Sequence, residues 1–584
     1  MISRSQLTAL AAAFCAFTSA DAQPADAASS LDTATIARRV DSLFTRVTRP
    51  DGPGCAVGVY RGGDVILTRG YGLANVEDRR PITRQTTFNL GSVSKPFTAL
   101  AALMLEQQGK LSLDDDVRRW IPEMPSYGTP IRVRDLLHHT SGLRDYGGLN
   151  ALRGREVETM PEFLGLLAAQ RRLNFTTGSQ HEYSHSDFVL LALIVERIAG
   201  VPFADHLARA VLEPMGMRGS FVHDGRARPA ADRAVGHTVL ASGNRIRFPG
   251  SEIVGGTNLY ASVSDLSSWA SHFDRPNVGG AEAMKRMLSR PTLASGDTVP
   301  YAYGLRLGTY RGLRTVSRGG HEDAMTSEII RFPGHGLTVA TLCNADHLQA
   351  GQLAHSVADL YLGEHMRPGR PRPVAPAPVA LPPNDLRRYA GVYMPPGSPW
   401  YALPIEVRNG SLVEVLFHET RDDTAIVMTP AGDGRFYEIG LTGNVGVFQF
   451  RTDPGGVADR VEISWNDEPA GTGDRVPDDR LWRPSAAALS EYSGTWFSDE
   501  MDTAWRFERR GQRLVLRRQG QPDLTLRPIS RDRFIRGFGS WVEPLVAEIR
   551  FHRNGAGRLT HFTVSTPPGQ DSVRGLRFAR VAGP

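Results

Sequence analysis

The sequence predicts a mixed α/β domain followed by two small all-β barrels, and three observations lead to this fold class. The chain has 584 residues, which is too long for one ordinary core. Its first part alternates helical and strand patterns, whereas its last part is β-rich and duplicated. A proline-rich tract at 366–384 separates the two parts and predicts a semi-stiff linker.

The first 22 residues predict a cleaved signal peptide. Arg4 precedes the apolar run LTALAAAFCAFTSA, and Ala20-Asp21-Ala22 then offers a small-residue cleavage site. The run is too short to span a bilayer, and no later segment reaches the necessary length. We therefore expect an exported protein, in the bacterial periplasm or outside the cell, with no integral membrane segment.

The α/β domain is predicted over residues 31–365. The stretch 97–111 has helical periodicity, and the apolar run at 188–195 is typical of a buried helix. The short runs CAVGVY at 55–60 and LTVATLC at 337–343 are typical of buried strands.

The two barrels are predicted over residues 385–470 and 485–584. LRRYAGVY at 386–393 matches LSEYSGTW at 489–496, and further matching marks follow in the same order at nearly the same offset. Repetition at one spacing predicts two tandem units, and alternating strands separated by Asn-Gly-type turns are typical of antiparallel barrels.

The composition excludes several classes of function. The net charge is +5, but the arginines are scattered and form no basic tract, so we expect no nucleic-acid partner. Cys55 and Cys343 alone would remain after cleavage, too few for a zinc or iron–sulfur site. His181 and His185 have helical i,i+4 spacing but no evident third ligand, so neither a metal nor another cofactor is predicted. The oligomeric state stays open.

Ser92 and Lys95 form the first candidate catalytic pair. The chain has only three lysines among its 67 basic residues, and Lys95 lies one helical turn after Ser92. A serine hydroxyl needs a base to become a nucleophile, and a lysine whose pKa is lowered by burial can be that base. An arginine cannot, because its guanidinium stays protonated.

The surrounding segments carry a family resemblance. FNLGSVSKPFTALAALMLEQQGKLSLDDDV at 88–117 and VRDLLHHTSGL at 133–143 resemble the serine β-lactamase and penicillin-binding-protein family, in its class C, D-aminopeptidase and esterase branch. LEPMGM at 212–217, TNLYASVSDLSSWA at 257–270 and the stretch 317–344 are also similar. The resemblance implies a β-lactamase-like domain with an antiparallel sheet flanked by helices. The β-rich remainder is similar to the paired, lipocalin-like barrels of D-aminopeptidase-like members.

The resemblance also implies site residues. The second family motif, Y-x-N, corresponds to Tyr183-Ser184-His185, which would place Tyr183 beside the Ser92–Lys95 pair to share the proton traffic. The third motif, a basic residue-x-Gly, corresponds to Arg318-Gly319-Gly320. The backbone N–H groups of Ser92 and His321 would form the oxyanion hole.

Two positions depart from the family pattern. His185 replaces an asparagine that orients amide substrates, which lowers the expectation of β-lactam and peptide chemistry relative to esters or other amides. Arg318 replaces a lysine or histidine. It suffices if the position supplies positive charge toward a substrate carboxylate, and it fails if the position relays a proton.

The resemblance implies that the first sheet strand runs antiparallel to the last, so that Cys55 and Cys343 lie close enough to be bridged. The predicted function is that of an exported serine hydrolase that forms an acyl-enzyme on small amide, peptide or ester substrates, as D-aminopeptidases and DD-peptidases do. The alternatives are a carboxylesterase or β-lactamase of the same fold, and a catalytically inactive protein that binds a ligand or partner.

Overall fold

The computed structural model describes residues 32–581 except 227–231, 241–242, 248–250, 369–376, 396–402, 417–423, 440–444, 466–467, 478–480, 536–547, 567–568 and 570. The predicted signal peptide at 1–22 and the middle of the predicted linker lie outside the described residues. No helix in the described ranges has the length and hydropathy needed to cross a membrane.

The first part of the chain folds around a seven-stranded antiparallel sheet. The strands of this part are β1 Cys55–Arg61, β2 Asp64–Tyr71, β3 Leu73–Asn75, β4 Arg80–Pro81, β5 Phe88–Asn89, β6 Phe221–Val222, β7 Gly236–Leu240, β8 Gly243–Arg247, β9 Leu259–Ala261, β10 Tyr301–Ala302, β11 Leu305–Tyr310, β12 Leu313–Glu322, β13 Met325–Phe332 and β14 Leu337–Cys343. The seven strands of the sheet have the order β10-β11-β12-β13-β14-β1-β2, so the first strand, β1, lies beside β14, and the others form three small sheets.

Helices cover both faces of this sheet. On one face α1 and α11 bury Phe44 and Val357 against Val57 and Val339, and on the other α2 and α6 form the larger core. The helices are α1 Thr33–Thr45, α2 Lys95–Gln107, α3 Val133–His138, α4 Tyr146–Arg153, α5 Met160–Ala168, α6 His185–Ala199, α7 Phe203–Leu207, α8 Glu213–Met215, α9 Leu266–His272, α10 Gly280–Met287 and α11 Ala350–Leu362.

The strand pairing confirms that the first and last sheet strands run antiparallel. Cys55 stands directly opposite Cys343, and their sulfur atoms are bonded in a disulfide. Both side chains are fully buried. The bridge closes a loop of 288 residues and joins the start of the first strand of the sheet to the end of its last strand in the chain.

The last part of the chain forms two closed eight-stranded antiparallel barrels, as predicted. The first contains α12 Pro383–Leu386, β15 Gly391–Met394, β16 Leu403–Arg408, β17 Ser411–Leu416, β18 Thr424–Gly432, β19 Arg435–Ile439, β20 Val445–Thr452, β21 Ala458–Trp465 and β22 Glu468–Arg475. The second contains α13 Ala486–Ser490, β23 Gly494–Ser498, β24 Thr503–Arg510, β25 Arg513–Arg518, β26 Leu524–Ser530, β27 Arg533–Ile535, β28 Glu548–Arg553, β29 Leu559–Ser565 and β30 Leu576–Arg580.

The repeated sequence marks occupy equivalent places in the two barrels. Pro430 pairs with Phe436 and Pro528 pairs with Phe534, and each pair sits beside a register shift. A proline without an N–H is tolerated at such an irregularity. The last strand of the first barrel continues to Arg475, beyond residue 470 where the sequence placed its end.

Candidate active site

Ser92 lies in a single tight turn, Gly91–Ser94, that leads directly into α2. The turn packs closely against β12 and needs glycine on both sides. Gly91 has a φ of 51°, and a Cβ there would come within 2.7 Å of the His321 backbone nitrogen. A Cβ on Gly320 would lie 2.0 Å from the Leu90 carbonyl oxygen. The two nitrogens expected to form an oxyanion hole therefore belong to backbones in close contact.

Lys95 is the first residue of α2, and its side chain is fully buried. Its Nζ atom lies 3.1 Å from the Ser92 Oγ atom and donates to the Gly256 carbonyl oxygen at 2.9 Å. Burial lowers the pKa of Lys95, an effect that Tyr183 opposes and Arg318 reinforces. A lysine in this setting can release and regain a proton, which is what a general base requires.

Tyr183 completes the contact with the serine. Its hydroxyl lies 2.7 Å from the Ser92 Oγ atom. Burial raises the pKa of Tyr183, but the charges of Arg318 and Lys95 and the hydrogen bonds from Lys95 and Ser92 outweigh burial and hold that pKa below its usual value. The three residues predicted to carry the reaction are thus within hydrogen-bonding distance around one hydroxyl group.

Arg318 points toward the tyrosine. Its Nη2 atom donates to the Tyr183 hydroxyl and its Nε atom donates to the Ser92 carbonyl oxygen at 3.0 Å. Its guanidinium carbon lies 4.9 Å from the centre of the Tyr183 ring. The sequence left two roles open for Arg318, a positive charge directed at a substrate carboxylate or a proton relay. This geometry favours a fixed positive charge, but the charge is directed at the Tyr183 phenol oxygen.

The buried His139 packs against the Tyr183 ring. The rings of His139 and Tyr183 are 4.6 Å apart. His139 Nδ1 lies 2.9 Å from Asp187 Oδ2, and His139 Nε2 lies 2.9 Å from the Tyr301 hydroxyl. Burial lowers the pKa of His139 far below its usual value and raises that of Asp187 well above its usual value. The chain of hydrogen bonds fixes the ring against which Tyr183 packs.

His185 lines the site without a hydrogen bond to Ser92 or Lys95. Its ring lies 5.2 Å from that of Tyr183, and its backbone N–H donates to Asp145. Burial first, and then the charge of Lys95, lowers the pKa of His185 to about 4, so it is neutral at physiological pH. His181 precedes α6, so the two histidines do not share a helical face, and the described residues contain no cluster of three metal-binding side chains.

Four carboxyl groups lie near the partly buried Tyr146. Burial raises the pKa of Tyr146, and the carboxyl groups raise it further; they belong to Glu322, Asp145, Glu156 and Asp571. Glu322 accepts a hydrogen bond from Thr257 at 2.9 Å, and burial raises its pKa to about 7. We call these four residues the acidic wall.

Asp571 brings the second barrel into this wall. A Cβ on Gly147 would lie 2.5 Å from Asp571 Oδ1 and 3.0 Å from Asp145 Oδ1, so the two carboxyl groups meet over the start of α4. Burial and the neighbouring Asp145 raise the pKa of Asp571 well above the usual carboxyl range. Asp571 therefore keeps its proton at neutral pH.

The sequence reasoning missed the acidic wall, the Gly256 carbonyl and the His139 network. The histidine lies inside the segment 133–143 that resembles the family, which was the available signal for it. The wall combines residues far apart in the chain, and a backbone carbonyl leaves no mark in a residue pattern, so neither had a local signature.

Comparison with known proteins agrees with this architecture. The Beta-lactamase family matches residues 40–362. Penicillin-binding protein 4* of Bacillus subtilis is 26% identical over 405 residues, an alignment that covers 64% of this chain and 86% of that protein. The octameric penicillin-binding protein homologue from Pyrococcus abyssi has a TM-score of 0.53 and 22% identity, with coverage of 74% of this chain and 98% of that one.

Two D-aminopeptidases are also similar. The enzyme of Gluconobacter oxydans is 30% identical over 348 residues, which cover 58% of this chain and 64% of that protein. The enzyme of Brucella anthropi is 30% identical over 281 residues, which cover 46% and 52% respectively. The aligned regions thus span between about half and two thirds of the D-aminopeptidases' length, and these relatives support a serine hydrolase. Because the family match covers more than half of the chain, this protein belongs to the Beta-lactamase family.

Proposed function

We propose that the protein is an exported serine hydrolase that forms an acyl-enzyme at Ser92 and acts, like a D-aminopeptidase, on small amides or esters. The observation that carries the proposal is the position of the Ser92 Oγ atom, 2.7 Å from the Tyr183 hydroxyl and 3.1 Å from Lys95 Nζ. A nucleophile in contact with two groups of lowered pKa is the arrangement that acyl transfer requires.

In the proposed reaction Ser92 Oγ attacks the substrate carbonyl carbon and its proton passes to Tyr183. The Ser92 and His321 backbone N–H groups bind the oxyanion, and the bond to the leaving group breaks as that group takes up the proton. This leaves an ester on Ser92. Water then attacks the ester carbonyl by the same proton route, which releases the acid and restores the serine. Lys95 shares this proton with Tyr183 by releasing and regaining it, and Arg318 stabilises the phenolate form of Tyr183 throughout.

The acidic wall favours substrates whose acyl part carries an ammonium group. A penicillin or a DD-peptide brings a carboxylate to the site, and Glu322, which becomes negative as pH rises through its pKa of about 7, repels it. An amino-acid amide brings a positive charge, which the same carboxylate attracts. The named D-aminopeptidase relatives support this choice. A carboxylesterase activity remains the second candidate, since the departure at His185 removes the amide-orienting asparagine.

The proposal is tested with the mature protein and its Ser92→Ala variant. We expect turnover of a p-nitrophenyl acetate ester and of D-alanine p-nitroanilide by the parent only, and a mass increase on Ser92 when the reaction is quenched early. Acetyl-D-alanine p-nitroanilide, which lacks the ammonium, should be a much poorer substrate. Equal turnover by both proteins, or none by the folded parent, would contradict the assignment and favour the inactive binding protein.

A further inference from the structure

Three loops at one end of the second barrel contact the catalytic domain. Glu500 lies between β23 and β24, Gln521 between β25 and β26, and Ser572 and Arg574 between β29 and β30. Because these strands alternate in direction, the three loops emerge at the same end. Gln521 donates to the Ala151 carbonyl oxygen at 2.7 Å, and the other two loops reach the segments beside the tyrosine.

One of these contacts is made with the residue directly before Tyr183. Both carboxylate oxygens of Glu182 are occupied by the barrel, one by Arg574 Nη2 at 2.8 Å and the other by the Gly569 backbone N–H at 2.7 Å. The Glu182 side chain is only 6% exposed, so this charge-assisted contact is shielded from water. The backbone N–H of Glu182 donates to the His139 carbonyl oxygen at 3.0 Å.

Arg574 is itself held rigidly. Its backbone N–H donates to Asn174 Oδ1 at 2.8 Å, and its carbonyl oxygen accepts from Arg144 Nη2 at 2.9 Å. Arg144 is fully buried and forms an ion pair with Glu500 of the barrel at 2.6 Å. Since the buried guanidinium of Arg144 has lost its hydration, removing either Glu500 or the Arg574 carbonyl oxygen from it is costly. These contacts therefore hold the barrel loop in place against the first domain.

The backbone of His185, two residues after Tyr183, is linked to the same loop through Asp145. The Asp145 backbone N–H donates to the Ser572 carbonyl oxygen at 3.1 Å, and the Asp145 carboxylate accepts from the His185 backbone N–H. Asn174 also donates to the Ser572 carbonyl oxygen at 3.0 Å. The segment that carries Tyr183 is therefore tied to the β29–β30 loop on both sides.

We propose that the β29–β30 loop of the second barrel positions Tyr183 for the reaction through the Arg574–Glu182 ion pair. Arg574 and Glu182 are positioning residues, because neither forms a hydrogen bond with Ser92, Lys95 or Arg318. An error of about 1 Å in the position of a reacting group costs roughly 100-fold in rate. Without the ion pair, Tyr183 moves away from the two cations that lower its pKa, so the barrel sets both its geometry and its acidity.

The inference rests on the proposed hydrolase activity, so its test has two readouts. We would compare the parent with Glu182→Gln, Arg574→Gln and the double variant, and with Arg577→Gln as a matched control on the exposed side of β30. Circular dichroism first shows whether each variant is folded. Glutamine removes the charge and keeps a polar group, so it disturbs packing less than alanine.

The first readout is kinetic. We expect kcat for the p-nitrophenyl ester to fall about 10- to 100-fold in Arg574→Gln with a change in KM of less than about 3-fold, because positioning acts on the transition state. The limb of the kcat–pH profile that rises as Tyr183 loses its proton should move to higher pH. The double variant should be no worse than the worse single variant. Parent-like kcat and pH limb in folded Arg574→Gln would overturn the proposal and leave the hydrolase assignment intact.

The second readout does not require activity. Hydrogen–deuterium exchange of peptides covering 182–185 should accelerate in Arg574→Gln and stay at the parent rate in Arg577→Gln. This measurement decides the matter even if the parent hydrolyses no substrate, in which case the proposed function fails separately. Unchanged exchange in this segment would show that the loop does not hold it.

Discussion

Replacing Arg318 by glutamine tests the role that the structure favours for this unusual residue. The guanidinium carbon lies 4.9 Å from the centre of the Tyr183 ring. At an effective dielectric constant of about 20, a unit charge at that distance stabilises the phenolate by roughly 3 kcal/mol. We therefore expect Arg318→Gln to raise the pKa of Tyr183, because the largest charge that lowers it is lost.

The assay is kcat/KM for a neutral p-nitrophenyl ester between about pH 6 and 10. The rising limb should shift to higher pH, and the rate at pH 7 should fall roughly 10- to 100-fold, because a more basic phenolate only partly compensates for its smaller population. Arg318→Lys should recover much of the loss, since it restores the positive charge.

Arg314→Gln, on the exposed face of the same strand, is the matched control and should leave the profile unchanged. The reasoning is refuted if Arg318→Gln keeps the parent's rising limb and instead raises KM only for substrates that carry a carboxylate. That result would return Arg318 to the alternative role of binding a substrate carboxylate.

Three further predictions follow from the geometry. Glu322 gains its charge as pH rises through its pKa of about 7 and then attracts the ammonium, so in the parent the ratio of kcat/KM for D-alanine p-nitroanilide to that for a neutral ester should rise near pH 7. Glu322→Gln should abolish this rise, and an unchanged ratio would place the ammonium elsewhere. Lys95→Arg should lower kcat roughly 1,000-fold with the fold intact, because a guanidinium cannot release its proton; near-parent kcat would show that positive charge alone suffices. Cys55→Ala with Cys343→Ala should lower stability by about 2–5 kcal/mol, read as a lower thermal midpoint; reductant should lower the parent's midpoint only, and equal sensitivity in the variant would contradict the bridge.

Much of the fold could be read from the sequence because it depends on local patterns. The strand at 337–343 and the helix at 188–195 are apolar runs of the right length, and the structure places β14 and α6 there. The two barrels were evident from duplication, since a repeated unit at one spacing must repeat its core. Ser92 and Lys95 are three residues apart, so their contact follows from the geometry of a single helical turn.

The remaining parts of the site depend on contacts that no local pattern contains. Glu182 and Arg574 are 392 positions apart, and the barrel loop that joins them to the site carries no recognisable motif. The acidic wall likewise draws Glu322 and Asp571 from two domains. The role of Arg318 stayed open for a different reason. A guanidinium can face a phenol or a substrate carboxylate equally well, and only the orientation of the side chain distinguishes the two.

The distribution of lysine in the sequence and the burial of Lys95 in the structure support the same role for Lys95. Of the three lysines, Lys110 and Lys285 are exposed and Lys95 is fully buried. Burying an ammonium costs several kcal/mol, and arginine loses less hydration when it is buried. A chain that otherwise uses arginine would therefore be expected to place arginine, or an apolar residue, at a buried position whose role is structural. A lysine is favoured there only if the position needs a cation that can become neutral. Lys95 meets this condition because its Nζ atom contacts Ser92 Oγ, whose proton must be removed. The kcat of the Lys95→Arg variant tests whether a cation that can become neutral is required.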